Sequence, residues 1–257
     1  MRCGNSSTLS VKKTSSKYYL GHACNYFALR LTMSPNPRIQ DLDLSFAASA
    51  PQLPNDGQLV FWLLPALKTP RISIAQLLAL ELGKTVEWQI AEFGKPAIKG
   101  EPLAISWSHT RWLTLVALRK VGELGVDLEG PRSLSNLLMQ RCYTPAEQVE
   151  CLQGKDAALR IWCLKEAYVK AIGRGIAFGL QRIDCSGTEL NLLDSGDERS
   201  GGSVEPAYIA SFQLGENHRA ALVCLDEAPE SFVAIDLRKY CLESGVSSRY
   251  SSTNLLE

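Results

Sequence analysis

Two acidic residues separated by a single position are the first feature of this sequence that could do chemistry. Asp127 and Glu129 lie in the segment GVDLE, residues 125–129, whose alternation of apolar and polar residues is typical of a β-strand. Side chains two residues apart on a strand project from the same face. Two carboxylates that close repel each other unless a cation or a proton lies between them. Oxygen ligands with no neighbouring His or Cys favour a hard ion, magnesium before zinc.

A second group of chemical interest lies on a predicted helix further along the chain, from about Lys155 to Ile172. Trp162, Glu166 and Lys170 follow one another at intervals of four residues, so they lie along one face of this helix, with Lys165 at its flank. Alone, this pattern also fits an exposed Glu–Lys pair, and a D-x-E segment alone also fits a solvated strand face. Together they suit phosphate chemistry, because carboxylates hold a metal ion and an ammonium group stabilises charge on a leaving group.

The elements that must position these residues follow from apolar periodicity. Strands are predicted at LVFWLL, VEWQIAEF, LAISWS, WLTLVALR, LGVDLE, LQRIDC, AYIASFQL and RAALVCLD. Helical spacing runs from Ile72 to Leu82 and ends at Gly83, and the segment from Thr144 to Glu147 predicts a helix start with a capping box. Residues 58–121 and 125–226 thus share the order strand, long helix, several strands. The pattern predicts an α+β fold of two similar lobes related by a pseudo-twofold axis, each with a long helix packed on a mainly antiparallel sheet.

Four segments are predicted along the chain. Residues 1–57 are expected to be a disordered leader and linker, residues 58–124 the N-terminal lobe, residues 125–240 the C-terminal lobe with the metal site, and residues 241–257 a disordered tail. Met33 is a candidate start, and polar residues interrupt the apolar run YYLGHACNYFALRL, which argues against a secretion signal.

Composition restricts the class of partner and the compartment. Lys+Arg and Asp+Glu balance at 27 each, so no overall field favours nucleic acid or an acidic membrane surface. No apolar stretch is long enough for a spanning helix. The eight cysteines show no C-x-x-C spacing, which argues against a structural zinc site and a dense disulfide framework. We expect a cytoplasmic, monomeric protein with no nucleic-acid or membrane partner.

The order of six short motifs resembles the Sfp-type 4′-phosphopantetheinyl transferases. The strand motif G-[VI]-D-[VIL]-E corresponds to GVDLE, and the helix motif [FW]-[CST]-x-K-E-[AS]-x-x-K corresponds to WCLKEAYVK, residues 162–170. Upstream, GKP at 94–96 and SH at 108–109 correspond to a G-K/R-P turn and an S-H pair. The segment YTPAE at 143–147 is similar to F-[ST]-x-x-E, and GRG at 173–175 is similar to a G-x-G turn. Each motif alone is weak, and their joint order is specific.

The resemblance implies a magnesium-dependent enzyme that transfers the 4′-phosphopantetheine arm of coenzyme A to a serine of an apo acyl or peptidyl carrier protein and releases 3′,5′-ADP. Asp127, Glu129 and Glu166 would bind magnesium with the pyrophosphate of coenzyme A. Glu166 would also take the serine proton, directly or through a water, and Lys170 would compensate charge on the pyrophosphate. The residues implied in coenzyme A binding are Gly94, Lys95, Pro96, Ser108, His109, Lys165 and Lys170.

The chain departs from the family pattern in its first lobe. A segment with several basic residues is absent between the first strand and the helix, so the first lobe is shortened and only Lys68 and Arg71 remain as basic candidates for the 3′-phosphate of coenzyme A. This leaves open a non-catalytic relative that binds a carrier protein or coenzyme A. A magnesium-dependent nuclease is a third hypothesis, disfavoured because no D/E-x-K follows on a neighbouring strand. The carrier protein's pathway, from lipid to secondary-metabolite biosynthesis, is not specified by the sequence.

Overall fold

The computed structural model describes residues 29–30, 38–91, 94–193 and 206–246. The strands are β1 (Leu29–Arg30), β2 (Ile39–Asp41), β3 (Ala47–Ala48), β4 (Gln58–Pro65), β5 (Trp88–Ile90), β6 (Pro96–Ile98), β7 (Ala104–His109), β8 (Leu113–Arg119), β9 (Leu124–Glu129), β10 (Ile183–Asp184), β11 (Asn191–Leu192), β12 (Tyr208–Leu214), β13 (His218–Cys224) and β14 (Ser231–Asp236). The α-helices are α1 (Pro70–Leu82), α2 (Asn136–Cys142), α3 (Pro145–Cys151), α4 (Lys155–Ala171) and α5 (Arg238–Glu243). In this part of the chain no helix is long and apolar enough to cross a membrane.

Two larger sheets organise the molecule. The first has the order β1-β14-β4-β8-β7, with β3 also paired to β14, and the second has the order β2-β12-β13-β9. The hairpin pairs β7–β8 and β12–β13 are antiparallel, as are β4–β8 and β13–β9. The pairs β14–β4 and β12–β2 are parallel. The predicted α+β fold with mainly antiparallel sheets is confirmed, and the likeness of two lobes stays a prediction.

The apolar core lies in three layers that follow the alternation of the strands. Between the two sheets, the inward residues of β4, β8, β9, β12 and β13 form a shared core that includes Phe61, Val126, Leu128 and Phe212. Helices α1 and α5 cover the outer face of the first sheet, and α4 covers the outer face of the second. Because Val126 and Leu128 point into the shared core, Asp127 must point to the other face, which is the face that α4 covers.

Gly125 allows α4 to lie directly on β9. A Cβ atom at this position would lie 2.0 Å from the carbonyl oxygen of Ala167 and 2.4 Å from the amide nitrogen of Ala171, which no larger residue could occupy without moving the helix. Gly125 and Asp127 share one face of the strand. The close approach at Gly125 therefore brings the C-terminal half of α4 against the acidic residues of β9.

The predicted helix signals agree with the structure. Gly83 follows α1 with φ of 65°, the left-handed conformation that glycine adopts readily. At α3, Thr144 accepts a hydrogen bond from the amide of Glu147, whose side chain accepts one from the amide of Thr144. Two predicted strands extend beyond those in the structure: in residues 86–91, the described part of VEWQIAEF, only Trp88–Ile90 is a strand, and LQRIDC begins as a 3-10 turn at Leu180–Arg182.

The predicted segment boundaries need correction. Residues 38–57 are not a structureless linker, because β2 and β3 pair with β12 and β14 and Leu42 is buried in the shared core. The strand β14 was counted with the second lobe but pairs with β4 in the first sheet. The predicted tail begins inside α5, where Cys241 is buried. The periodicity of apolar residues shows which face of a strand is buried, but it does not show which distant strand pairs with it. The predictions for residues 1–28, 31–37 and 247–257 concern parts of the chain outside the described residues.

Candidate active site

Asp127 lies at the centre of the predicted site and is held by one of its two carboxylate oxygens. It is only 4% exposed, and its Oδ1 accepts hydrogen bonds from Nζ of Lys170 at 2.7 Å and from Oγ of Ser108 at 2.8 Å. Its Oδ2 is buried with no hydrogen-bond partner. A buried carboxylate oxygen without a partner is costly, so its position points to a ligand that would occupy it.

Glu166 presents a second such oxygen from α4. Its Oε1 is buried and without a hydrogen-bond partner. Burial raises the pKa of Glu166 to about 7, the neighbouring Asp127 adds to the rise, and Lys170 opposes it. The two facing elements therefore bring together two carboxylates, each with an open oxygen, and repulsion between them would be relieved by a cation. This donor set fits a hard divalent ion.

Glu129, the third predicted ligand, is engaged by a residue that the sequence analysis missed. Nε and Nη2 of Arg132 donate to its Oε2 and Oε1 at 2.7 and 2.6 Å, so both carboxylate oxygens are occupied. The guanidinium carbon of Arg132 also lies 5.7 Å from the centre of the Trp162 ring. Within the described ranges, no group of three or more His, Cys, Asp or Glu is arranged to hold a metal ion. The basic residue three positions after Glu129 was the available signal.

Lys165 does not reach the site. Its side chain is 0% exposed and its Nζ donates to the carbonyl oxygens of Cys142, Leu180 and Ile183 at 2.8, 2.9 and 2.7 Å. It also forms an ion pair with Glu147 at 2.6 Å. All the donors of an ammonium group are thereby used, which corrects the expectation that Lys165 contributes to cofactor binding. Lys165 and Lys170 are five residues apart, so they leave α4 in different directions.

A cavity of about 200 Å³ adjoins Lys170 and is lined by the predicted turn residues Gly94, Lys95 and Pro96. Its other lining residues are Ile105, Ser106, Trp107, Val169, Gly173 and Gly175. Lys95 donates from Nζ to the carbonyl oxygen of Ala171 at 2.6 Å and forms an ion pair with Glu123. The GKP turn and the GRG turn thus lie side by side along this cavity, where a Cβ at Gly173 would be 3.2 Å from Cδ of Lys95, and Lys170 also lines it.

Ser108 and His109 end β7 but have different surroundings. Ser108 is buried and positions Asp127 through its hydroxyl, whereas His109 is exposed at the end of the strand. Ser106, which the sequence analysis did not single out, accepts a hydrogen bond from the amide of Val126 at 3.0 Å. The two serine hydroxyls therefore join β7 of the first sheet to β9 of the second. Because β9 also pairs with β13, the acidic strand is hydrogen-bonded on both sides.

A wider depression of about 1090 Å³ lies on the other side of Arg132. The loop after β9, the helices α2 and α3 and the β12–β13 turn line it, with Val149 and Leu152 exposed. Arg132 thus lies between this surface and the acidic residues, at the point where a partner bound to the depression would meet the site.

Comparison with known proteins agrees with this arrangement. A family model described as the 4′-phosphopantetheinyl transferase superfamily matches residues 123–222, the segment that contains β9 and α4. A putative 4′-phosphopantetheinyl transferase of Synechocystis is 30% identical over 176 residues, covering 62% of this chain and 72% of the relative. The 4′-phosphopantetheinyl transferase of Bacillus subtilis is 26% identical over 166 residues, covering 60% and 69%. The strand and helix that carry the open carboxylates lie within the residues that the family model matches, and the chain belongs to the 4′-phosphopantetheinyl transferase superfamily.

Proposed function

We propose that this protein is a magnesium-dependent enzyme of the Sfp type that transfers the 4′-phosphopantetheine arm of coenzyme A to a serine of an apo carrier protein and releases 3′,5′-ADP. The observation that carries the proposal is the pair of buried, unpartnered oxygens, Oδ2 of Asp127 and Oε1 of Glu166, beside Lys170. Membership of the superfamily supports the transfer of phosphopantetheine, and the site supplies the residues for it.

Magnesium would be held by Asp127 and Glu166, and by Glu129 once its carboxylate separates from Arg132. The all-oxygen donor set agrees with the ligand preference of this ion. When bound, magnesium would polarise phosphate oxygens as a Lewis acid. Ser108 keeps Oδ1 of Asp127 in place, so that Oδ2 stays directed away from this hydrogen bond.

Glu166 is the residue suited to move the proton. Its Oε1 is buried and has no hydrogen-bond partner, so it can accept a hydrogen bond and then a proton from a hydroxyl that enters the site. Glu166 would accept the proton of the carrier serine hydroxyl, directly or through a water. The serine oxygen then forms a bond to the phosphorus that bears the pantetheine arm. The bond from this phosphorus to the bridging oxygen breaks, and that oxygen leaves with 3′,5′-ADP.

The small cavity is the proposed place for the pyrophosphate and nucleotide end of coenzyme A. Lys170 lies between Asp127 and this cavity, where its ammonium group would offset negative charge on the pyrophosphate. Lys95 and the turns at 94–96 and 173–175 form the opposite wall. Ser108 and His109 lie at the end of β7, and of these His109 has the exposed side chain that a nucleotide could contact.

Intact mass spectrometry of a carrier protein tests the proposal. An apo acyl or peptidyl carrier protein incubated with the enzyme, coenzyme A and magnesium should gain the mass of one phosphopantetheine arm. The gain should disappear with EDTA and with a carrier whose acceptor serine is replaced by alanine. Binding of coenzyme A without any mass gain, across acyl and peptidyl carriers, would favour the non-catalytic relative instead.

A further inference from the structure

Arg132 occupies a carboxylate that the proposed metal site needs. Its two guanidinium nitrogens take both oxygens of Glu129, at 2.6 and 2.7 Å. On the same strand face, Asp127 keeps one oxygen open, and Glu166 does so on the facing helix. Asp127 and Glu166 therefore each keep one oxygen without a partner, whereas both oxygens of Glu129 bind Arg132.

We propose that Arg132 and the divalent cation compete for Glu129, so that chelation of the cation by this third carboxylate requires Arg132 to leave it. The inference rests on the proposed function, because it assumes that the acidic site binds magnesium. A guanidinium bound to both oxygens of Glu129 lies where a cation chelated by both oxygens would have to lie, so the carboxylate cannot make these two contacts at once. Arg132 thereby lowers the affinity of the metal-free protein for the ion.

The surroundings of Arg132 distinguish its pair with Glu129 from an ordinary surface ion pair. Glu129 keeps only 18% of its side chain exposed, whereas Arg132 keeps 45%. Trp162 lies beside the guanidinium, and Arg132 also lines the wide depression on the far side. A guanidinium released from Glu129 therefore has both an aromatic face and an open surface next to it.

Cation binding without substrate is the direct test. Manganese, a probe for the magnesium site, is titrated into the full chain without coenzyme A, and free manganese is counted by electron paramagnetic resonance. Arg132→Met should bind manganese about tenfold more tightly than the wild type, the change that corresponds to about 1.4 kcal/mol. Arg132→Lys should lie between them, because lysine keeps the charge but cannot form the bidentate pair.

The chain offers a matched control. Arg238 and Asp236 form a bidentate pair with the same exposed fractions, 45% and 18%, at the start of α5 and away from the acidic site. Arg238→Met should leave manganese affinity unchanged. An equal gain in Arg132→Met and Arg238→Met would mean that net charge alone is responsible, and would overturn the competition.

A double variant separates competition from simple repulsion. In the Glu129→Gln background, Arg132 has no carboxylate to hold, so adding Arg132→Met should change manganese affinity by less than about threefold, or roughly 0.7 kcal/mol. The same tenfold gain in both backgrounds would overturn the inference. If the wild type binds manganese and Arg132→Met does not tighten it, the competition fails while the metal site stands. If no variant binds manganese, the metal site of the proposed function fails, and the competition fails with it.

Discussion

Helix α4 carries two lysines that pair with carboxylates, and the two pairs differ in what they leave unsatisfied. Lys165 and Glu147 are both 0% exposed, and the remaining donors and acceptors of the pair are taken by backbone groups. Lys170 and Asp127 are 29% and 6% exposed, and Asp127 keeps one oxygen with no partner. The first pair is closed, whereas the second is open on one side.

The difference shows how a single motif serves both structure and chemistry. Burial raises the pKa of Glu147, and Lys165 with two backbone amides opposes this rise. This network joins α4 to the start of α3 and to residues 180–185, which follow α4 in the chain. It therefore stabilises the helix that carries the site. In the pair of Lys170 and Asp127, a ligand bound to the unpartnered Oδ2 of Asp127 would lower the free energy of the folded protein. Ranking variants by their effects on stability and on transfer tests this division.

Removing the closed lysine should have the largest effect. Lys165→Met leaves the Glu147 carboxylate buried without its cation, which typically costs about 3–5 kcal/mol of the free energy of unfolding. Urea unfolding measures this loss. Lys170→Met is the matched variant and should cost less, about 1–2 kcal/mol, because the Lys170 side chain is 29% exposed and Ser108 still donates to the Asp127 carboxylate. Equal losses in the two variants would contradict the division. Adding Glu147→Gln to Lys165→Met should restore part of the stability, since the unpaired charge is then absent.

Removing the open carboxylate should act on catalysis. Asp127→Ala should lower kcat/KM for phosphopantetheine transfer by about 10²–10³-fold, as expected when a preorganised charged group is lost from a site that stabilises a phosphoryl transition state. Its free energy of unfolding should fall by only about 1–2 kcal/mol, because the hydrogen bonds of Lys170 and Ser108 to Oδ1 are lost. Activity within a few-fold of the wild type at saturating magnesium would show that Asp127 is not a ligand.

A smaller effect should come from the hydroxyl that positions Asp127. Ser108→Ala removes one hydrogen bond to Oδ1, worth about 1 kcal/mol, and should lower transfer about fivefold and raise the magnesium concentration needed for half-maximal transfer. Ser106→Ala is the comparison for the magnesium requirement, because its hydroxyl bonds to the amide of Val126 and not to a carboxylate. An equal rise of the magnesium requirement in both serine variants would mean that Ser108 contributes only to the contact between β7 and β9.

Much of the site could be predicted from local patterns. The alternation in LGVDLE placed Asp127 opposite Val126 and Leu128, and the four-residue spacing on α4 placed Glu166 and Lys170 on one face. These predictions agree with the structure because strand and helix periods decide which side chains share a face. Lys165 was placed wrongly at the flank of the ligand site, since a charged residue next to a functional one gives no local sign of complete burial.

What the sequence by itself determined was the chemistry of the elements: an acidic strand, a lysine-bearing helix with its stop, and a capped helix before it. Only the tertiary structure decided that β14 joins the first sheet, that β2 joins the second, and that Arg132 closes Glu129. The physical reason is that periodicity is a property of neighbouring residues. Strand partners and ion pairs instead depend on which distant surfaces pack together, and on what that packing leaves without a hydrogen bond.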